Sequence, residues 1–278
     1  MFSRYTKIDI DHLTSVPFLR WAGSKKKILP QLAAYWKSDY RRYVEPFAGS
    51  AALFFHIGPN RAVLGDLNEQ LIDLFRIVRI NPDEFHSALS AVPRSRYDYY
   101  RIRAVDPDSL PAFERAVRFA YLNRLCFNGI YRTNLQGKFN VPYGGSKPNA
   151  VPPIEVFRKC ALLLEQADLC AADFGRILRN TISGDFVYLD PPYAVQSRRV
   201  FRQYGPKPFN TDDLERLVGY LEGADRRGVH FLLSYADCAA ARQAFRSWPT
   251  KRIRVRRNIA GFVGARRSAY ELLVTNIH

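Results

Sequence analysis

Short apolar runs that stop at an acid or a turn recur along the chain: RRYVEPF (41–47), RAVLGD (61–66), ADLCAAD (167–173), FVYLD (186–190) and HFLLSY (230–235). Runs of this length, rich in β-branched and aromatic residues, read as short strands. Helical patterns lie between several of them, in SAALFFHI, NEQLIDLFRIV, PIEVFRKCALLLEQ and TDDLERLVGYLEGADRRG. Alternating strand and helix predicts an α/β fold, a mostly parallel, doubly wound sheet that binds ligands beyond the carboxyl ends of its strands. The last stretch differs. TKRIRVRRNI and AYELLVTNI are strand-like runs separated by a Gly-rich turn, which predicts a C-terminal antiparallel hairpin closing the sheet.

One region interrupts this rhythm, from about Arg76 to Gly145. It is rich in Arg and Tyr and contains the helical pattern AFERAVRFAYLNRLCF, followed by NGIYRTNLQGKFNVPYGG, which alternates around LQGK between Asn-Gly and Gly-Gly. Such a stretch reads as a protruding β-hairpin. The expected organisation is a discontinuous core, 1–75 and 146–278, with an inserted module at 76–145. The module's helix serves equally well as plain core, whereas the hairpin carries Asn128, Arg132, Asn134 and Lys138 with little apolar alternation to bury.

Charge adds a partner class. Lys and Arg number 42 against 26 Asp and Glu, a formal net charge of +16, in a chain that is 47% hydrophobic. A polyanion is the expected partner, since basic residues cluster beside aromatic or Gly-rich segments in WAGSKKK, RRYV, QSRRVFRQYGPK and KRIRVRRN; a generally basic, soluble protein is the plainer alternative. Cys126, Cys160, Cys170 and Cys238 lie far apart with no C-x-x-C pair, so neither a zinc site nor a disulfide framework is expected. MFSRYTKIDIDHL lacks the apolar core of a signal peptide, and no run approaches the ~20 apolar residues of a membrane span. The expectation is a soluble cytoplasmic protein, associated with the nucleoid through DNA.

The candidate chemistry lies at predicted strand ends. Phe186 to Leu189 carry no charge, so Asp190 stands at the carboxyl end of a buried strand, followed by Pro191 and Pro192, which stiffen the exit, and by Tyr193. Glu45 ends another run, and Ala48, Gly49 and Ser50 after it let a ligand approach the backbone near a helix N-terminus. Asp66 ends the next strand, the usual position for an acid that accepts hydrogen bonds from ribose hydroxyls. Asp173, with Phe174 beside it, can bond an adenine amine while the ring packs on the base. Taken alone, Glu45 and Asp66 have helix capping as their plainer alternative, and Asp173 reads equally as a cap before a short helix.

The combination is more specific. FLRWAGSKKKILPQL, YVEPFAGSAALFF, GDLNEQLIDLFRIV, AYLNRLCFNGIYRTNLQGKFNVPYG, VYLDPPY and YELLVTN resemble, in order, the motifs of Dam-like DNA adenine methyltransferases. D-P-P-Y alone also occurs in other amino-methyltransferases, including those acting on cytosine; the ordered set spans Phe18 to about Asn276. The resemblance implies a Rossmann-like sheet that binds S-adenosylmethionine, with a helical and β-hairpin target-recognition insertion before the D-P-P-Y motif. It implies a cofactor site of Trp21, Ala22, Gly23, Lys25, Glu45, Phe47, Gly49, Asp66, Asp173, Phe174 and Asp190. Ser24 and Ala51 depart from the family pattern, which often has Gly at both.

In the implied reaction an adenine amine, whose lone pair is delocalised into its ring, is activated by the Asp190 carboxylate and the Pro191 carbonyl. Pro192 holds these acceptors stiffly, and Tyr193 stacks on a base flipped out of duplex DNA. No metal is needed. In the insertion, Asn128 and Arg132 are residue types that read base edges bidentately, Phe127 and Ile130 can wedge into the gap left by the flipped base, and Asn134 and Pro142 complete the expected DNA face. The resemblance places Arg20 on a flanking base and makes GATC the expected type of site. These arginines serve equally as phosphate contacts that read nothing. A DNA-binding regulator that keeps the fold without the reaction is the alternative that an intact D-P-P-Y speaks against.

Overall fold

The computed structural model describes residues 13–134, 136–145, 150–193, 209–256 and 268–277. Seven strands, β1 (Tyr43–Glu45), β2 (Ala62–Asp66), β3 (Ala167–Ala171), β4 (Phe186–Leu189), β5 (His230–Ala236), β6 (Thr250–Arg256) and β7 (Ser268–Thr275), form one sheet in the order β3-β2-β1-β4-β5-β7-β6. The first five are parallel. β7 runs antiparallel to β5, and β6 antiparallel to β7, so the expected terminal hairpin is present and its later strand, β7, lies inside its earlier one. Strand order reverses between β1 and β4. Chain leaving their carboxyl ends turns to opposite sides, which opens a crevice there.

Ten helices accompany the described strands: α1 (Leu29–Ala33), α2 (Ala52–Ile57), α3 (Glu69–Ile80), α4 (Pro82–Ala91), α5 (Arg96–Ala104), α6 (Ala112–Leu125), α7 (Ile154–Glu165), α8 (Phe174–Arg179), α9 (Thr211–Arg226) and α10 (Ala239–Ala244). The sheet is buried on both faces because successive strand residues point to opposite sides. Phe186 and Tyr188 enter one cluster with residues of α1 to α7, while Val187 and Leu189 enter a second with residues of α8, α9 and α10. The whole connection from β2 to β3 runs through α3 to α7.

Within residues 76–145 the sequence shows one helix clearly, whereas the structure has the end of α3 and then α4, α5 and α6. Arg118, in the middle of α6 and only 7% exposed, caps the end of α5 by donating to the carbonyls of Ile102 (3.0 Å) and Arg103 (2.9 Å). The hairpin that follows is not a regular ladder. Two isolated antiparallel bridges, Cys126 with Tyr143 and Thr133 with Phe139, hold it, and the side chains of Tyr99 and Arg103 on α5 anchor it by donating to the Val141 carbonyl at 2.9 and 3.0 Å. Two expected strands are shorter than their apolar runs. Pro46 cannot extend β1, and Asp173 leaves β3's line to cap α8, where its Oδ1 accepts from Gly175 N–H at 2.9 Å.

Candidate active site

Asp190 follows β4 directly and lies at the switch point, with a quarter of its side chain exposed. Lys25, from the WAGSKKK segment and 7% exposed, places Nζ 2.9 Å from Asp190 Oδ1. Ser234 on β5 donates to the same oxygen at 3.3 Å, and Tyr188 and Ser234 share a hydrogen bond of 3.1 Å below it. Burial raises the Asp190 carboxyl above its ordinary value, and Lys25 partly opposes that rise. Burial also works against the charge on Lys25, yet Asp190, Tyr193 and Glu271 together hold that ammonium above its ordinary value. Pro191 is buried and Pro192 half-buried. The Tyr193 ring meets Tyr235 edge-on at 5.1 Å, and its hydroxyl accepts from Lys25 Nζ (3.2 Å) and donates to Glu271 Oε1 (3.2 Å).

Beside this cluster, the loop after β1 brings two sequence motifs into contact. Gly49 adopts φ +49° and lies so close under the Trp21 indole that a Cβ there would fall 2.7 Å from Nε1. Its N–H donates to Asp66 Oδ2 (3.0 Å), while Asn68 N–H donates to Asp66 Oδ1 (2.9 Å). Burial raises the Asp66 carboxyl and these N–H groups oppose the rise. Glu45 is 3% exposed and accepts from the Tyr43 hydroxyl at 2.8 Å; burial holds its carboxyl well above the usual range. Ala22 is half-buried and Gly23 exposed, in the turn between Trp21 and Lys25. Leu67, next to Asp66, is 62% exposed, an apolar side chain left open beside a buried acid.

Asp173 and Phe174 sit on the far side of the loop. Besides capping α8, Asp173 receives Arg216 Nη2 at 2.7 Å, and the same guanidinium lies 4.7 Å from the Phe174 ring. Phe174 is 6% exposed and stacks on Phe47 at 5.2 Å. The capping reading of Asp173 is therefore realised, and the same Oδ1 that caps α8 also accepts from Arg216.

A family model for D12 class N6 adenine-specific DNA methyltransferases matches residues 21–260. The chain belongs to this family. It is 32% identical over 269 residues to the type II methyltransferase M1.LlaDCHI of Lactococcus lactis subsp. cremoris, covering 94% of this chain and 95% of the relative. It is also 32% identical over 261 residues to the DNA adenine methylase of Escherichia coli strain K12, covering 92% and 93%. The type II methyltransferase M.MjaIII of Methanocaldococcus jannaschii is 29% identical over 240 residues, covering 78% and 83%. The protein is thus an adenine-specific DNA methyltransferase, and an enzyme of this family takes its methyl group from S-adenosylmethionine. The seven-stranded sheet with its antiparallel terminal strands is consistent with that fold.

The methyltransferase brings Arg20 against the start of the hairpin. Asn123 brackets the Arg20 backbone, accepting its N–H at 3.0 Å and donating to its carbonyl at 2.6 Å, and Arg20 Nη1 donates to the Arg124 carbonyl at 3.0 Å. Gly129 packs directly on Arg20 Cβ. Phe127 is 40% exposed, Asn128 is exposed with φ +55°, Ile130 is half-buried against the core, and exposed Pro142 accepts Phe127 N–H at 2.9 Å. Arg132 reaches across the hairpin to Asn140, with Nε 2.8 Å from Oδ1 and Nη2 3.2 Å from the carbonyl. Asn134 closes the turn, its Oδ1 accepting from Gln136 and Lys138 N–H at 3.0 and 2.9 Å.

Glu271 and Ser234 are not among the residues the sequence marks as candidates; for Glu271 the available signal is an acid inside the otherwise apolar YELLVTN strand. The basic clusters at 196–207 and 257, the Gly-rich turn near 258–267 and the first twelve residues lie outside the described residues. Of the cysteines, Cys126 and Cys160 are buried, and exposed Cys238 caps α10. Among the described residues, no group of three or more His, Cys, Asp or Glu is placed to hold a metal ion, and no helix is long and apolar enough to cross a membrane.

Proposed function

We propose that this methyltransferase acts on an adenine flipped out of duplex DNA within a GATC-like site, using Asp190, Pro191, Pro192 and Tyr193 as its catalytic segment. The observation that carries the reading is the position of Asp190: a partly exposed carboxylate at the switch point, on a stiff loop, next to an aromatic ring. S-adenosylmethionine supplies an electrophilic methyl group when bound. Trp21, Gly49 and Asp66 fit such a group. Gly49 lets the Trp21 indole lie directly against the loop backbone, Asp66 is oriented by two N–H groups to accept from vicinal hydroxyls, and exposed Leu67 offers an apolar face for a base. Ala22, Gly23, Lys25, Glu45, Phe47, Asp173 and Phe174 surround this space.

The adenine amine needs its lone pair localised and aimed. Asp190 and the Pro191 carbonyl accept its two protons, favouring the pyramidal, partly positive nitrogen of the transition state. Tyr193 stacks on the base and compensates part of an unstacking cost of a few kcal/mol. Residues 76–145 act as the recognition unit on a core of 1–75 and 146–278, with Arg20, Phe127, Asn128, Ile130, Arg132, Asn134 and Pro142 on the DNA. The anchoring of the hairpin on α5 and against Arg20 supports this. The cell compartment follows from the DNA partner, cytoplasmic and nucleoid-associated.

Asp190→Ala should lower methyl transfer about 100-fold or more while DNA affinity changes far less, by analogy with other preorganised electrostatic groups. Near-normal turnover in a folded variant would sink the role given to Asp190. Mapping methylated positions in DNA from cells expressing the chain tests base and context together, and methylation outside GATC-like sites would overturn the specificity.

A further inference from the structure

We propose that Glu271 is a positioning residue for methyl transfer, one that divides the Lys25 ammonium between two carboxylates and fixes the Tyr193 hydroxyl. The inference rests on the reading of Asp190 as the acceptor of the amine protons. Glu271 comes from β7, opposite Ala236 of β5, and its side chain is only 3% exposed. Taking a carboxylate out of water costs several kcal/mol unless its partners compensate. Two of its partners among the described residues belong to the proposed site. Lys25 Nζ lies 3.5 Å from Oε2, and the Tyr193 hydroxyl donates to Oε1 at 3.2 Å.

The arithmetic of charge gives the consequence. Lys25 alone with Asp190 makes a neutral pair in which the ammonium is held at Oδ1 and draws charge from the carboxylate that is to accept the amine proton. Among the described residues, Glu271 adds a second carboxylate to the one ammonium, which raises the negative potential at Asp190 and keeps it a stronger acceptor. The ammonium also has a second carboxylate to lean on when the amine arrives. The same carboxylate holds the Tyr193 hydroxyl, and with Tyr235 at the ring edge it fixes the plane on which the base stacks.

Among the described residues, the groups bearing on Asp190 are Lys25 from the N-terminal segment, Ser234 from β5, Glu271 from β7, Glu45 from the end of β1 and Tyr188 from β4, and Tyr193 from its own loop meets the Lys25 ammonium. Of these, Glu271 raises the Asp190 carboxyl and Lys25 lowers it. Removing the Glu271 charge should therefore move the acid limb of the rate to lower pH. A merely structural residue would lower stability and leave that limb in place.

The test is single-turnover methyl transfer against pH for Glu271→Gln, Glu271→Asp and Asp190→Ala, with S-adenosylmethionine and duplex DNA affinities and thermal midpoints measured alongside. Glu271→Gln is isosteric and still accepts from Tyr193. It should slow transfer about tenfold or more, leave both affinities within about twofold and shift the acid limb downward. Glu271→Asp should restore the limb toward its original place. An unchanged rate and limb in Glu271→Gln, with Asp190→Ala inactive, overturns the inference alone. So does an equal loss in both Glu271 variants with the limb unmoved. Near-normal turnover in Asp190→Ala instead overturns the reading beneath it. If Glu271→Gln does not fold, Glu271→Asp decides, because it lengthens both contacts, and an unchanged rate then counts against the role.

Discussion

Lys25 Nζ stands 2.9 Å from Asp190 Oδ1 although the two residues come from motifs far apart in the chain. The lysine is 7% exposed, so the pair is a buried electrostatic unit and not a surface contact. Replacing Lys25 by Met leaves Asp190 and Glu271 without their shared cation, a loss of about 3 kcal/mol or more. Lys25 lowers the Asp190 carboxyl against the pull of burial. Without it the carboxyl rises further, and Asp190 is protonated at higher pH. In a Lys25→Met variant that remains folded, the acid limb of methyl transfer should move upward, opposite to the shift in Glu271→Gln. A limb that stays in place would show that Lys25 does not set the charge state of Asp190.

Gly49 is the second sensitive point. Its left-handed backbone already disfavours a side chain, and a Cβ would meet the Trp21 indole at 2.7 Å. Gly49→Ala should cost about 1–3 kcal/mol, and displacement of Trp21 should weaken S-adenosylmethionine binding more than DNA binding. Calorimetry with each ligand separates the two effects. Equal losses in both affinities would mean that the substitution acts only through general unfolding.

The sheet and the place of Asp190 were readable because a short run of uncharged β-formers followed by an acid has few other interpretations. α9 was readable for a similar reason, since Asn210 and Asp213 form a capping box before an amphipathic pattern. α5 was hidden: its segment RYDYYRIRA buries Tyr99 alone of its nine residues, and a helix with so narrow an apolar stripe gives little periodic signal. α8 was half legible, because Asp173 reads equally as its cap and as a ligand-binding acid, and the cap is what the fold realises. Glu271 was hidden for a different reason. Strand alternation shows that it shares a face with Leu273, but only folding reveals that Lys25 and Tyr193 arrive at that face.

Glu45 yields a stability prediction. Its carboxyl is held well above the ordinary 4.5 by burial, so the folded state keeps a proton that the unfolded state releases. Stability therefore falls as pH rises from about 4.5 through the folded value, by at most about 1.4 kcal/mol per pH unit. Glu45→Gln cannot ionise and still accepts from Tyr43. Denaturant unfolding between about pH 5 and about pH 7 should show a flatter slope in the variant. An identical slope would mean that Glu45 is ionised in the folded protein.

Arg132 is held by Asn140 through Nε and Nη2, which fixes the plane of its guanidinium on the hairpin. A fixed plane suits a fork of hydrogen bonds to the two acceptors of a guanine edge, an arrangement that no other base offers. If Arg132 reads such a guanine, Arg132→Ala should cost about 1–3 kcal/mol on the preferred site and almost nothing on sites altered at that position. Asn140→Ala should act in the same direction and less strongly, because it frees the guanidinium without removing it. A phosphate-binding arginine behaves differently. Its loss weakens all sequences about equally and reduces the slope of log affinity against log salt by roughly one unit. Methylation rates on duplexes altered one position at a time around the adenine, with salt titrations of binding, distinguish the two. A uniform loss in Arg132→Ala and no effect in Asn140→Ala would mean that Arg132 positions the DNA and reads nothing.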